Sequence, residues 1–247
     1  MGAVDPNASG TYSTSAGCVL SCDLQLAAAS TWVFECDGGL TVAAGSSMTI
    51  VGGGNAVVWT IGAGPVVTGA DSAMIGALTS DGAITIGALS TWDGAMTSTG
   101  GAVNLGVEST AKGNVKAFGA ITLAASAKTD PGTLESEEAA VDLGANSIVQ
   151  GSIKAKGAIT MSSNAVAKTA LPLPNTFHPL ESTMGAVTLG AGAECGDITA
   201  YGAITLGANA KGGDLNSSNG AITLGANSVS GTKIAAVVTV GAGATRV

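Results

Sequence analysis

The chain has 247 residues, of which 38 are glycine, 3% are aromatic and 11% are charged, with a formal net charge of −8. Its hydrophobic 46% is mostly Ala, Val, Ile and Leu, side chains that fill a narrow core rather than a thick layered one, and that recur too regularly for a disordered chain. The nine basic residues are scattered, so no nucleic-acid partner is expected, and no apolar run of about 18 residues escapes Gly or polar breaks, so no membrane span is expected.

The first segment, residues 1–9, reads as an N-terminal tail. "MGAVDPNASG" has neither a basic n-region nor an apolar h-region and is not read as a signal peptide. From residue 10 the sequence predicts one domain, 10–247. Its first coils, to about residue 70, are long and irregular, with 26 residues between Leu40 and Val66. Trp32, Phe34 and Trp59 are expected to pack in the core and at its end. Three of the four cysteines, Cys18, Cys22 and Cys36, fall in this part; the fourth is Cys195. Cys18 and Cys36 are eighteen residues apart, one repeat period. Stacked in adjacent coils their Cα atoms would lie about 4.8 Å apart, within disulfide range, so a Cys18–Cys36 bridge is expected; the other reading is four small buried thiols. "CVLSC" lacks the spacing of a zinc knuckle and the single histidine, His178, is remote, so no metal and no cofactor is expected.

Regular coils are expected over 81–247. An apolar-x-apolar pair recurs as Ile84/Ile86, Val103/Leu105, Ile121/Leu123, Val141/Leu143, Ile159/Met161, Val187/Leu189, Ile204/Leu206, Ile222/Leu224 and Val238/Val240. The intervals are 19, 18, 20, 18, 28, 17, 18 and 16 residues. Alternation with period two marks each copy as a strand, and the flanking glycines mark corners. A second apolar point follows in each coil, as at Met96, Val115, Ile153, Ile198 and Leu215. Coils of about 18 residues with short strands and Gly-rich corners make a triangular parallel β-solenoid, all-β, in which identical residues stack along the axis. A shorter acidic segment, "TDPGTLESEE", is expected to leave the coil. The 28-residue interval predicts a Pro-rich loop insertion over about 167–184, carrying Pro172, Pro174 and Pro179.

Four segments follow one another in an order that resembles a known family. They are "GTYSTSAGCVLSCDLQL" (10–26), "TWVFECDGGLTV" (31–42), "NAVVWTIGAGPVVTG" (55–69) and "DGAITIGALSTWDGA" (81–95). They are similar to the C-terminal solenoid part of the microbial ice-binding protein family of sea-ice diatoms, bacteria and snow fungi. In that family a W-[IV]-F strand, a Gly-x-Leu-Thr-Val strand and an N-x-x-W strand precede Gly-Ala-[IV]-Thr-Leu-Gly coils. The family's first coil and long packed helix have no counterpart in this sequence, and this chain continues through further regular coils. The resemblance implies a right-handed solenoid that binds ice, secreted so as to meet it.

The outward residues of the Gly-Ala-Ile-Thr-Leu-Gly strand suit that role. One row reads Ala83, Ala102, Ala120, Ala140, Ala158, Ala186, Ala203, Ala221 and Val237; its neighbour reads Thr85, Asn104, Thr122, Asp142, Thr160, Thr188, Thr205, Thr223 and Thr239. Methyls and hydroxyls would repeat at about 4.8 Å along the axis and about 7 Å across it, a spacing on which an ordered water layer can form. The candidate ice-binding residues are therefore Ala83, Thr85, Ala120, Thr122, Ala158, Thr160, Ala186, Thr188, Ala203, Thr205, Ala221, Thr223 and Thr239. The strand after the later glycine instead turns outward Asn114, Lys116, Ser152, Lys154, Asp197, Asp214 and Asn216, an ordinary solvated surface. An ice crystal is the expected partner, with thermal hysteresis as the readout and a monomer as the working form, self-association remaining open. The alternative is a non-enzymatic structural or adhesive solenoid of a cell surface or matrix, using the same flat face to assemble. No enzyme is expected: carboxylates are dispersed, the single histidine, His178, lies in the Pro-rich insert, and phosphate loops, metal motifs and nucleophile elbows are missing.

Overall fold

From Ile84–Ile86 to Ile222–Leu224, each apolar-x-apolar strand is buried on two residues and at least partly open on the one between. Such a strand satisfies its backbone only if neighbours lie on both sides, and its own copies supply them. The computed structural model describes residues 10–27, 31–51, 56–168 and 176–246. In it the chain winds as a three-faced β-solenoid whose strand pairings are all parallel in the two main faces. One face stacks twelve strands from Gly10–Thr14 to Lys233–Ile234; it carries most of the surface ion pairs and is called the charged face. The next stacks twelve from Cys18–Leu20 to Val238–Val240 and is called the threonine face. The third face has a six-stranded ladder from Ala73–Ile75 to Val166–Ala167. Single bridges extend it, from Ser47 to Ala73 at one end and from Val166 through Glu194 and Lys211 to Val229 at the other. Among the described residues there is no helix, and hence none long and apolar enough to cross a membrane.

The inward ladder of the threonine face runs Ile84, Val103, Ile121, Val141, Ile159, Val187, Ile204 and Ile222 in register, every member fully buried. Leu78, Met96, Val115, Leu134, Ile153, Leu180, Ile198 and Leu215 form the matching ladder inside the charged face. At about 1.5–3 kcal/mol for each buried aliphatic chain, these ladders hold the stack, whereas a single coil has nothing to bury against.

The core narrows along the axis. Inside the third face Met74 and Trp92 are followed in register by Ala111, Thr129 and Val149. The wide end is filled by aromatic rings: Tyr12 stacks on Trp32 and Phe34, Phe34 lies 4.4 Å from Trp59, and Trp59 meets Trp92 edge-on. The buried indoles of Trp59 and Trp92 donate to the carbonyls of Ile75 and Gly76.

Two corners recur. After the threonine face one residue per coil takes a left-handed conformation, filled by Asn146, Asn164, Asn209 and Asn227 at φ 54–58° and by Gly192 and Gly243 in other coils. Asn tolerates that region better than most residues. Between the charged and threonine faces, buried serines tie successive coils together: Ser98, Ser136, Ser182 and Ser217 donate to the carbonyls of Gly82, Gly119, Gly157 and Gly202 at 2.7–2.9 Å. Coils approach closely here. A Cβ on Gly220 would lie 2.5 Å from the carbonyl carbon of Gly202.

Three expectations are corrected. The acidic segment stays in the coil: after the cis Asp130–Pro131 bond, Leu134–Ser136 forms a strand of the charged face with Leu134 buried. A single Leu among charges is enough to complete the rung. The ends of the supposed insertion are also in register. Val166–Ala167 and Leu180–Ser182 are strands, and the Pro179 carbonyl accepts from Ile153 N at 3.1 Å, so this proline uses the one ladder group it has. Residues 1–9, and Pro172 and Pro174 with the rest of 169–175, lie outside the described residues. Finally, Cys18 and Cys36 are bonded, Cα to Cα 5.6 Å, but they are not stacked. Cys18 belongs to the threonine face beside Leu40, and Cys36 to the charged face beside Ile61.

Candidate binding face

The alternation that buries Ile204 and Leu206 turns Thr205 outward, and the register carries the same choice from coil to coil. Thr85, Asn104, Thr122, Asp142, Thr160, Thr188, Thr205, Thr223 and Thr239 are successive ladder partners. The alanine before each strand lies beside this row. Its carbonyl receives the ladder hydrogen bond from the preceding coil, as Ala203 does from Val187 N and Ala221 from Ile204 N, both within 3.0 Å. The alanine positions are thus fixed by the backbone as firmly as the threonines.

All the candidate residues named from the sequence lie on this one face, each exposed or half-exposed. The longest uninterrupted run is Thr160, Thr188, Thr205, Thr223 and Thr239, with Ala158, Ala186, Ala203 and Ala221 alongside. Asn104 and the exposed Asp142 break the row nearer the middle. The register also carries it further than the sequence pattern did, through Val67 and Thr41 to Val19. Among the described residues, the hydroxyls of Thr160, Thr188, Thr205 and Thr223 take part in no hydrogen bond within the protein. They differ in this from the corner serines, whose hydroxyls are committed to carbonyls. The result is a charge-poor surface on which methyls repeat in register and the hydroxyls of this run bond nothing within the protein.

The charged face is a different surface for most of its length. Its outward row reads Thr97, Lys116, Glu135, Lys154, Glu181, Thr199 and Asn216 in register. Lys116 lies 2.8 Å from Glu137 and 3.9 Å from Glu135, and Lys154 lies 3.7 Å from Glu181. The hydrogen bond to Glu137, and then the charge of Glu135, raise the Lys116 ammonium above its ordinary pKa. Sequence reasoning missed the start of this face. There Ala77 and Thr79 are followed by Ala95 and Thr97, a short copy of the alanine–threonine pattern ahead of the charged rungs. The signal was present in "GALTS" and "GAMTS".

Among the described residues, no group of three or more His, Cys, Asp or Glu side chains converges as a metal site. Cys195 is buried, and burial with the nearby charge of Asp197 pushes its thiol well above the usual range, so it is held as an inert thiol.

No curated protein and no solved structure matches the chain. Its first coils, however, match a family model over the same stretch in which the ordered segments between Gly10 and Ala95 were found. Residues 5–106 match the model of the ice-binding-like family, and the match ends just beyond the rung of Val103–Leu105.

Proposed function

We propose that the protein adsorbs to ice through its threonine face, acting without catalysis and outside the cell. The observation that carries this reading is the run Thr160–Thr188–Thr205–Thr223–Thr239 with its alanine row, in a chain whose residues 5–106 match the ice-binding-like family. The ladder fixes the hydroxyls about 4.8 Å apart along the axis, so water bound to them is ordered before it meets the crystal. The methyls of Ala and Thr deny that layer strong competing hydrogen bonds, which leaves it free to merge with the lattice. A face of Lys and Glu instead holds water in shells of its own. A Cys18–Cys36 disulfide is in keeping with an oxidising, extracytoplasmic setting.

The test is the shape and growth of a single ice crystal in dilute protein, with thermal hysteresis measured beside it. Thr205→Tyr should lift the run off the lattice and abolish most of the activity while the fold persists, and Asn216→Tyr on the charged face should leave activity intact. Thr79→Tyr adds a discriminating arm. Activity lost there and kept in Thr205→Tyr would move the ice surface to the Ala77–Thr97 patch. A wild-type protein without any effect on ice would end the reading.

A further inference from the structure

The four charged rungs of the charged face alternate in sign: Lys116, Glu135, Lys154, Glu181. A second row runs beside them at the corner toward the threonine face. On the same four rungs it holds Phe118, then Glu137 and Glu138, then Lys156, then Thr183 and Met184. Read along the axis, the two rows together are plus with apolar, minus with minus, plus with plus, and minus with apolar. Reversed and set against itself, that pattern is complementary at every rung.

The reversal is what a two-fold axis does when it runs parallel to the strands and passes between two facing copies. Centred between the rungs of Glu135 and Lys154, it places Lys116 against the partner's Glu181 and Glu135 against the partner's Lys154. Lys156 falls against the partner's Glu138, and Phe118 against the partner's Met184. Both rows share the same centre, although their sequences are independent. We propose that the charged face is the interface of an antiparallel homodimer, with a second copy of this chain as its partner. The interface is independent of the ice reading and leaves the threonine face of each copy uncovered.

Three further observations favour it. Phe118 and Met184 are 44% and 64% exposed in the single chain, and they would meet as a sulfur–aromatic contact. Within one copy, among the described residues, no ion pair joins Glu135 to Lys154, the two central charges, although they are ladder partners. In the dimer they would meet twice, once on each side of the axis. Outside the charged block the central residues of the opposed rungs are neutral, Thr97 facing the partner's Thr199 and Thr79 the partner's Asn216, while the exposed Asp197 and Asp214 that precede those strands would face the partner's Ala95 and Ala77. The overlap runs from the strand Val57–Ile61 to the strand Lys233–Ile234, about 45 Å at the usual strand spacing. It is one narrow face wide, so the complex is of modest affinity and depends on charge.

Sedimentation velocity of the whole chain tests this, at about 0.01 M and about 1 M salt, where the Debye length is roughly 30 and 3 Å. The wild type should dimerise at low salt and dissociate at high salt. Lys154→Glu sets like charges together at both central contacts and should weaken the dimer at least about tenfold. Adding Glu135→Lys restores opposite charges across the axis and should recover the dimer. Within one copy the double change sets a second lysine beside Lys116 and a second glutamate beside Glu181, so recovery cannot come from better pairing with those neighbours. Lys116→Glu is a second single variant with the same expected loss. Far-UV circular dichroism checks that each variant folds. A wild type that stays monomeric at low salt and high concentration overturns the proposal. So does a dimer indifferent to Lys154→Glu, or a double variant no better than the single.

Discussion

Cys18 and Cys36 are joined to each other although neither is the other's neighbour in a ladder, Cys18 lying beside Leu40 and Cys36 beside Ile61. The bond therefore links two faces of the solenoid rather than two rungs of one. It closes the wide, aromatic end of the core, where the coils are longest.

Thiol chemistry should report this arrangement. Cys22 is exposed, whereas Cys195 is buried with its thiol pKa raised by desolvation and the Asp197 charge, which keeps it protonated at any pH where the fold is normally handled. Native, unreduced protein should show one rapidly reacting thiol. Denaturation should reveal a second, and reduction two more. Three or four reactive thiols in unreduced, denatured protein would mean that the Cys18–Cys36 bond is not formed.

Core truncation should be costly at every rung of the inward ladder. Ile159 is fully buried between Val141 and Val187. Ile159→Ala should lower unfolding stability by about 2–5 kcal/mol, and Ile159→Val by about 0.5–1.5 kcal/mol. Chemical denaturation followed by far-UV circular dichroism measures both. An Ala variant as stable as the wild type would mean that the narrow core collapses around the gap.

The left-handed corner makes a different demand. Asn209 has φ 58°, so Asn209→Gly should be tolerated within about 0.5 kcal/mol, while Asn209→Val puts a β-branched side chain where it clashes and should cost about 1–2 kcal/mol. Thermal melts of the pair compare them directly. Equal melting points would show that the corner relaxes out of the left-handed region.

If the threonine face adsorbs to ice, its two flaws limit it. Asp142 lies between Thr122 and Thr160 in the ladder, and Asn104 between Thr85 and Thr122. Asp142→Thr with Asn104→Thr would close both gaps and make the row continuous from Thr85 to Thr239. Thermal hysteresis at equal concentration should rise above that of the wild type, with stability changed by no more than about 0.5 kcal/mol. No rise would mean that the run from Thr160 to Thr239 already spans the contact.

The two main faces were legible because their inward residues are large and alternate strictly, as in Ile204-Thr205-Leu206. The third face was not. Its inward positions include Ala111, Thr129 and Cys195, too small or too polar to stand out, and several of its strands are only two residues long. Leu134-Glu135-Ser136 was hidden for a related reason, one apolar residue among charges, and only the partners on either side reveal it as a strand. Leu89 and Glu108 hold the left-handed corner against their own preference, at φ 59° and 57°, because the coils above and below impose it. The alanine–threonine surface could be read residue by residue, since outwardness follows from period two. Its continuation to Val19, and the short copy at Ala77–Thr97, needed the register.

The narrowing of the core gives the molecule a direction. Trp32, Phe34, Trp59 and Trp92 make the wide end dense, whereas the later coils are filled by aliphatic chains alone, such as Ile204, Leu206, Ile222 and Leu224. Because each coil touches only its neighbours, opening spreads by steps. Amide protons should therefore exchange faster in the coils of Ile204 and Ile222 than around Trp59, so that the coils loosen in order, like a rope whipped at its aromatic end.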